Sequence, residues 1–187
     1  CTVDAMNWAA KYGHLEIVKW LHENRTEGCT TDAMDCAAMN GHLDVIKFLH
    51  YNRSEGCTTY AMDRAAKYGR LEIVKWLHEN RTEGCTTNAM DRAAENGYLE
   101  VVRWLHENRT KGCTPYAIKN TAKNGHLETL KFLYENYKED YLTECLSDYL
   151  FCGPTINWLN DDKYTGNVLH DVALNGHTEV IKWMLDN

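Results

Sequence analysis

Apolar residues recur along the chain in two alternating helical patterns. In the first, positions 5, 6, 9 and 10 are apolar and fall on one face of a helix, and glycine follows at position 13. In the second, residues 15–24 are apolar around most of the helix, with a narrow polar strip of Glu16, Lys19 and Glu23. A helix of this kind needs cover on several sides. The patterns therefore predict a helix–turn–helix unit that packs against further units.

The two patterns return with a period of 28 residues. This is also the spacing of the cysteines that begin the first five units, which are Cys1, Cys29, Cys57, Cys85 and Cys113. We number the positions of each unit as columns, with this cysteine as column 1. Eight columns are identical in the five units: 1 (Cys), 2 (Thr), 5 (Ala), 10 (Ala), 13 (Gly), 15 (Leu), 21 (Leu) and 24 (Asn). The predicted units are 1–28, 29–56, 57–84, 85–112, 113–140, a degenerate unit 141–163 and a last unit 164–187.

Residue types at the ends of each pattern predict where the helices begin and end. Threonine in column 2 is a good N-cap, and Pro115 in column 3 is tolerated in a first turn. Glycine in column 13 ends the first helix. On that helix, columns 5, 6, 9 and 10 face the core, so columns 4, 7, 8, 11 and 12 are expected on the opposite, outward face. Stacked copies of the unit predict an all-α solenoid.

The letters of the repeat resemble the ankyrin repeat. Residues 91–108, DRAAENGYLEVVRWLHEN, carry the resemblance, and the last unit repeats it with Val168, His170, Gly176 and Glu179. The resemblance implies an ankyrin-like solenoid of about seven units. Ankyrin units usually have ~33 residues, so the shorter period implies that the projecting β-hairpin finger is shortened or absent. Such short units are similar to arrays in giant DNA viruses of amoebae and in some protists. Tetratricopeptide repeats are also pairs of helices, but they do not fit this chain, because their period is longer and their aromatic residues lie at other positions.

Charge and composition narrow the class of protein. The formal net charge is −7, which opposes general electrostatic binding to nucleic-acid phosphates. We expect no membrane contact, because apolar runs are shorter than the ~20 residues of a span. Since the cysteines are regularly spaced and no signal segment is evident, we expect an intracellular protein in a reducing compartment, the cytoplasm or the cytoplasm or nucleus of a host cell.

The repeated reactive residues are interpreted as scaffold. Cysteines one layer apart, ~8–10 Å, are too distant for a disulfide and cannot surround a metal ion. The column-22 histidines become Tyr134 and Leu185 in later units, so we expect packing residues whose ring nitrogens bond neighbouring backbone. The asparagine of column 24 starts a glycosylation triplet in four units. We nevertheless expect this asparagine to end the second helix. Cys145 and Cys152 do not complete a zinc site. We therefore predict no enzyme activity, metal or cofactor.

The units differ mainly on the outward face of the first helix, and this variation indicates a binding surface. Aromatic and cationic side chains are concentrated there, a composition typical of protein interfaces. In ankyrin arrays the first helices line the concave groove, so the resemblance implies protein binding there, to a partner with an acidic or aromatic-accepting surface. Nucleic-acid binding through the same face, or a passive spacer role in a longer adaptor, are alternatives. The predicted contact residues are Trp8, Lys11, Tyr12, Cys36, Met39, Tyr60, Arg64, Lys67, Tyr68, Asn88, Arg92, Glu95, Tyr116, Asn120 and Lys123.

Overall fold

The computed structural model describes residues 2–148, with residues 138–148 as backbone only, and residues 168–186. Every regular element in these two ranges is a helix. The helices are α1 Asp4–Lys11, α2 Leu15–Asn24, α3 Thr31–Asn40, α4 Leu43–Asn52, α5 Thr59–Lys67, α6 Leu71–Asn80, α7 Thr87–Glu95, α8 Leu99–Asn108, α9 Pro115–Lys123, α10 Leu127–Asp148, α11 Val168–Leu174 and α12 Thr178–Asp186. The predicted all-α repeat architecture is confirmed.

The helix ends agree with the predicted capping residues. In units two to five, the threonine hydroxyl of column 2 accepts a hydrogen bond from the backbone N–H of column 4, as an N-cap does. Pro115 occupies the first turn of α9. In the first unit the Thr2 hydroxyl instead donates to Asp4, 3.0 Å away, and α1 lacks a side-chain cap. The second helices α2, α4, α6 and α8 all span columns 15–24, as predicted.

Glycine in column 13 satisfies two demands at once. Gly69 has a φ of 69°, a left-handed conformation that other residues adopt only with strain. A Cβ atom on Gly69 would also lie 2.6 Å from the Tyr98 ring of the next unit. The side chain in column 14 of each following unit therefore lies directly over the preceding glycine. The turn and the contact between units depend on the same missing side chain.

The helices form two layers. The first helices α1, α3, α5, α7 and α9 pack side by side, and α2, α4, α6 and α8 cover them from one side. Small residues in columns 5, 9 and 10 let the first helices approach closely, and the methionines of column 6 fill the space between the layers. Met34, Met62 and Met90 are 1–2% exposed. Packing is therefore continuous from one unit to the next.

Column 7 is placed wrongly by the sequence pattern. The pattern put it on the outward face, but Asp35, Asp63 and Asp91 are buried. Each carboxylate accepts one hydrogen bond from the backbone N–H and one from the hydroxyl of the threonine that begins the next first helix. For Asp63 and Thr86 the two distances are 2.8 Å and 2.7 Å. The helical pattern of one unit cannot show this burial, because the next unit produces it.

Burial and hydrogen bonding have opposite effects on these carboxylates. Desolvation raises the pKa of Asp63, and the two hydrogen bonds from Thr86 lower it in part. Desolvation by burial raises the pKa of Asp35 and Asp91 as well. In the first unit Asn7 replaces the aspartate, and its amide both donates to the Thr30 hydroxyl and accepts from the Thr30 N–H at 3.0 Å. A neutral amide can therefore make the same connection.

The regular pattern changes after the fifth unit. Helix α10 continues through Asn136, where the earlier second helices end, and passes residue 141, where the degenerate sixth unit was expected to begin. Helix α11 packs directly against α9, and the His177 ring lies over Gly125 as the column-14 residue of an adjacent unit does. The last unit therefore packs directly on the fifth unit. Residues 149–163 of the predicted sixth unit lie outside the described residues.

The connection between units is short and extended. Arg25 follows α2 with φ −133° and ψ 149°, and Gly28 then turns the chain with a φ of 74°. Across the described connections between the first five units, the backbone forms no strand. This agrees with the expectation that the β-hairpin finger is shortened or absent in these units.

We expect Asp63→Ala to lower the free energy of unfolding by about 2–3 kcal/mol, because the Thr86 N–H and hydroxyl lose a charged acceptor. Asp63→Asn should cost less than about 1 kcal/mol, since Asn7 makes the equivalent bonds in the first unit. Urea unfolding followed by circular dichroism measures both variants. Equal losses for alanine and asparagine would contradict this role of the hydrogen bonds.

Candidate functional site

The fifteen residues predicted to contact a partner are all exposed or half-buried. They lie on α1, α3, α5, α7 and α9, or on the residue that directly follows α1 or α5. Because these five helices pack side by side in chain order, the residues form one strip across the first-helix layer. We call this set of residues the variable face.

An aromatic pair with a lysine lies at the N-terminal end of the variable face. The Trp8 and Tyr12 rings stack with centroids 5.8 Å apart and an interplanar angle of 17°. The Lys11 ammonium lies 4.5 Å from the Trp8 centroid and 5.6 Å from that of Tyr12. Trp8 and Tyr12 are 52% and 56% exposed. The lysine is thus held by cation–π contacts while both rings stay accessible.

The third unit carries two similar pairs. The Arg64 guanidinium lies 5.2 Å from the Tyr60 ring centroid, and the Lys67 ammonium lies 5.3 Å from that of Tyr68. The exposed fractions of Tyr60 and Tyr68 are 57% and 42%. An Arg64 nitrogen also lies 4.0 Å from the Cys36 sulfur, which links this unit to the second. Rigid aromatic surface and fixed cations therefore occur on two non-adjacent units of the strip.

The remaining part of the variable face is more nearly neutral. Arg92 forms an ion pair with Glu95 at 2.7 Å, so part of its charge is satisfied within the protein. Lys123 lies 3.5 Å from Asp171 in the last unit. Tyr116 is 61% exposed. The positive charge predicted for the strip is therefore concentrated on Lys11, Arg64 and Lys67, which the sequence pattern did not distinguish from Arg92. The remaining residues, Met39, Asn88 and Asn120, are half-buried or exposed on α3, α7 and α9.

The column-22 histidines of units two to four bond side chains, so the expectation of backbone partners is wrong for them, and the buried Nδ1 of His22 has no hydrogen-bond partner among the described residues. In these three units the partner is the column-25 residue of the following unit. This residue directly follows the second helix of that unit or, for Tyr137, lies within the longer helix α10. The pairs are His50 Nδ1 with Arg81 at 3.5 Å, His78 Nδ1 with Arg109 at 3.1 Å and His106 Nδ1 with the Tyr137 hydroxyl at 2.8 Å. A guanidinium can only donate, so Nδ1 is the acceptor in the two arginine pairs. These contacts make the histidines part of the junction between units.

An arginine–glutamate pair that was not predicted from the sequence lies in the connection between units. Arg53 and Glu55 form an ion pair that lies over Gly28, and Glu55 accepts from the Cys29 backbone N–H at 3.3 Å. The bonds from Arg53 lower the pKa of Glu55 to about 2. Arg81 and Glu83 repeat the pair one unit later. The signal for these pairs is the NRxEG motif of three successive units, in which the arginine and the glutamate recur two residues apart.

The column-1 cysteines lie under these pairs. Burial, followed by the nearby Glu55 charge, raises the pKa of the Cys29 thiol to about 11. Burial likewise raises the pKa of Cys57 to about 11. A thiol of this kind is a poor nucleophile at neutral pH. Among the residues that the structure describes, no three metal-ligating side chains come together. Cys145 and Cys152, which were not expected to complete a zinc site, lie outside the described side chains.

The asparagines of column 24 end the second helices, as predicted. The side-chain amides of Asn24, Asn52, Asn80 and Asn108 each donate to the carbonyl four residues earlier at 2.9 Å. This local bond explains why asparagine recurs there. None of the helices in the described ranges combines the length and apolar character needed to cross a membrane.

Comparison with known proteins identifies the family to which this repeat architecture belongs. A family model for ankyrin repeats in many copies matches residues 6–50, and a model for three ankyrin repeats matches residues 34–118 and 62–144. The chain belongs to the ankyrin repeat family. The human ASB11 ankyrin repeat domain, a crystal structure, is similar to this ankyrin array with a TM-score of 0.64 and 18% identity, covering 97% of this chain and 82% of that chain. This likeness shows the fold. No curated protein sequence matches the chain.

We expect the buried thiols of this ankyrin array to react slowly with iodoacetamide at pH 7.5. The raised pKa of Cys29 and Cys57, from 9.0 to about 11, lowers the thiolate fraction about a hundredfold. Cys36, half-exposed on the variable face, should react at least ten times faster. Peptide mass spectrometry after timed labelling measures the rates. Equal rates at the three cysteines would contradict the burial.

We expect Glu55→Gln to destabilise the array by roughly 1–2 kcal/mol at pH 7, because a half-buried ion pair with Arg53 is lost. The pKa of Glu55 is about 2 in the folded chain against 4.5 for an ordinary glutamate, so its stabilising effect is present above about pH 4.5 and is lost as the pH falls toward 2. Urea unfolding at several pH values measures the difference. Glu16→Gln, on an exposed pair with Lys19, is the control. A difference independent of pH would contradict this assignment.

Proposed function

We propose that this ankyrin array binds a protein partner through the variable face, and that the bound segment is acidic and presents aromatic or apolar groups. Ankyrin repeats are protein interaction modules in general, and in such arrays the first helices line the groove that receives a partner. The observation that carries the proposal is the set of cation–aromatic pairs of Lys11, Arg64 and Lys67 on the first helices.

The pairs support binding for an energetic reason. An exposed aromatic ring held by a neighbouring cation loses little conformational freedom when a partner covers it, so little of the contact energy is spent on ordering. Arginine and aromatic residues are the types that contribute most at protein interfaces. The rings of Trp8, Tyr60 and Tyr116 are each more than half exposed. These side chains offer contact surface that the packing of the array does not use.

The charges of the variable face favour an acidic segment. Lys11 and Lys67 are held by aromatic rings, whereas Arg92 has an internal carboxylate partner. The chain as a whole has a net charge of −7, so this cationic strip stands out against an acidic molecule. Complementary charge increases the rate of encounter and selects among partners. The same net charge opposes nucleic acid, which would meet repulsion outside the strip.

We expect the triple variant Arg64→Ala, Arg92→Ala, Tyr68→Ala to lose most binding while its unfolding temperature stays within a few degrees of wild type, since all three side chains are partly exposed. Peptides selected from a random displayed library on the wild-type array provide defined ligands. Their affinities are then measured by fluorescence anisotropy for both proteins. We expect the selected peptides to be rich in Asp, Glu and aromatic residues.

The matched control is Lys47→Ala, Lys75→Ala, Tyr51→Ala, which removes two cations and a tyrosine from the second helices α4 and α6. This control should bind like wild type. Equal binding by the triple variant and wild type would overturn the proposal. Tight binding of single-stranded DNA with a steep loss on added salt would favour the nucleic-acid alternative, and failure to select any peptide would favour a passive spacer.

A further inference from the structure

In units two and three, a glutamate carboxylate lies against one edge of the column-25 arginine. The Nε and Nη2 atoms of Arg81 donate to the two carboxylate oxygens of Glu83, with 3.2 Å between Nε and Oε2. The remaining Nη1 atom of Arg81 donates to His50 Nδ1 at 3.5 Å. Arg53 binds Glu55 through the same two nitrogens, Nε and Nη2. The arginine therefore has one edge that binds a carboxylate and a separate atom that bonds the histidine.

The fourth unit keeps this arginine and replaces the glutamate by a lysine. Its connection reads NRTKG at residues 108–112, where the third unit reads NRTEG. Arg109 has backbone angles φ −130° and ψ 144°, close to the −131° and 152° of Arg81. Its side chain lies over the glycine that ends the preceding unit, and its Nη1 atom donates to His78 Nδ1 at 3.1 Å, as the equivalent atoms of Arg81 do one unit earlier. The Nε and Nη2 edge of Arg109 is therefore oriented like the edge of Arg81 that binds a carboxylate.

Arg109 and Lys111 bring two positive charges to a connection where the third unit has a neutral ion pair. Among the described residues, neither of these side chains forms an ion pair with a carboxylate. The Lys111 charge acts on Asp63, but both oxygens of that buried carboxylate are held by the backbone N–H and the hydroxyl of Thr86. The Nε and Nη2 edge of Arg109 thus lacks the acid that this edge binds in units two and three.

The neighbouring cysteines show the same difference in charge. At Cys57, burial and then the Glu83 charge raise the pKa of the thiol to about 11. Burial also raises the pKa of the Cys85 thiol, but the Arg109 charge opposes the rise. The electrostatic potential at the connection of the fourth unit is therefore more positive than at the connection of the third.

We propose that Arg109, together with Lys111, forms a binding site for an external carboxylate, the group that an aspartate or glutamate side chain of another protein presents. The carboxylate takes the position that the Glu83 carboxylate has one unit earlier. A guanidinium binds a carboxylate through two parallel hydrogen bonds, which are stronger than bonds between neutral groups. The site belongs to the connection between units four and five and uses no residue of the variable face, so it does not depend on the proposed binding of a partner there.

A titration of the full chain with sodium acetate tests the proposal, with sodium chloride added to hold the ionic strength constant. Two-dimensional NMR follows the Nε–H signal of Arg109 and the backbone amide of Cys85, which is equivalent to the Cys29 amide that donates to Glu55 at 3.3 Å. Both signals of wild type should shift along a saturable curve. Arg109→Gln, followed at the Cys85 amide, should weaken acetate binding about tenfold or more, because the two parallel hydrogen bonds are lost.

Exchange of one residue between units three and four gives two reciprocal variants. Lys111→Glu gives the fourth unit the letters of the third, and Gly112 can adopt the positive φ that Gly84 has in the third unit. The internal carboxylate should then occupy the site, abolish the acetate response and raise the unfolding temperature. Glu83→Lys does the reverse, and the Cys57 amide should gain an acetate response that wild type lacks.

Lys47→Glu is the matched control, because it makes the same change of charge at an exposed position of α4. It should bind acetate like wild type, and thermal unfolding checks that all variants fold. The absence of a saturable response in wild type, an equal response in Arg109→Gln or Lys111→Glu, or a silent Cys57 amide in Glu83→Lys would overturn the proposal. Inorganic phosphate is the second probe, and tighter binding of phosphate than of acetate would overturn the assignment to a carboxylate.

Discussion

Each of units two to four is connected to the next unit by a buried aspartate that accepts two hydrogen bonds from the threonine at the start of the next first helix. In a solenoid each unit contacts its neighbours alone, so the contact between neighbours sets the register of the whole array. The Asp63–Thr86 bonds hold the N-terminal end of α7 against the middle of α5. Because the threonine also caps its own helix, one residue links local helix formation to packing between units.

This arrangement explains which residues are free to differ between units. The columns that hold the register or fill the core are constrained by a neighbour on each side, so near-identical residues recur there. Columns 4, 8, 11 and 12 meet no such constraint, and the cation–aromatic pairs around Arg64 and Lys67 occupy them. A surface can therefore vary without cost to the array, which is the property that a binding module requires.

The period, the helix bounds and the strip of candidate contact residues could be predicted from sequence, because helical spacing and capping are properties of a single unit. The role of Asp63 could not, since a pattern of one helix places a polar residue outward whatever the next unit supplies. The same reason hid the arginine partners of His50 and His78, whereas the Arg53–Glu55 pair lies within one unit and its signal was the NRxEG letters. The direct contact of α11 with α9 was also beyond the sequence pattern, because packing, and not spacing, selects the neighbour.

Native-state hydrogen exchange at the Thr58, Thr86 and Thr114 amides tests the central claim most directly. If these N–H groups are held by buried carboxylates between units, they exchange only when a whole layer opens. Their protection should then match that of core amides in the same first helices, about a thousandfold or more above the unprotected rate. Exchange as fast as that of the exposed connections between units would contradict the account.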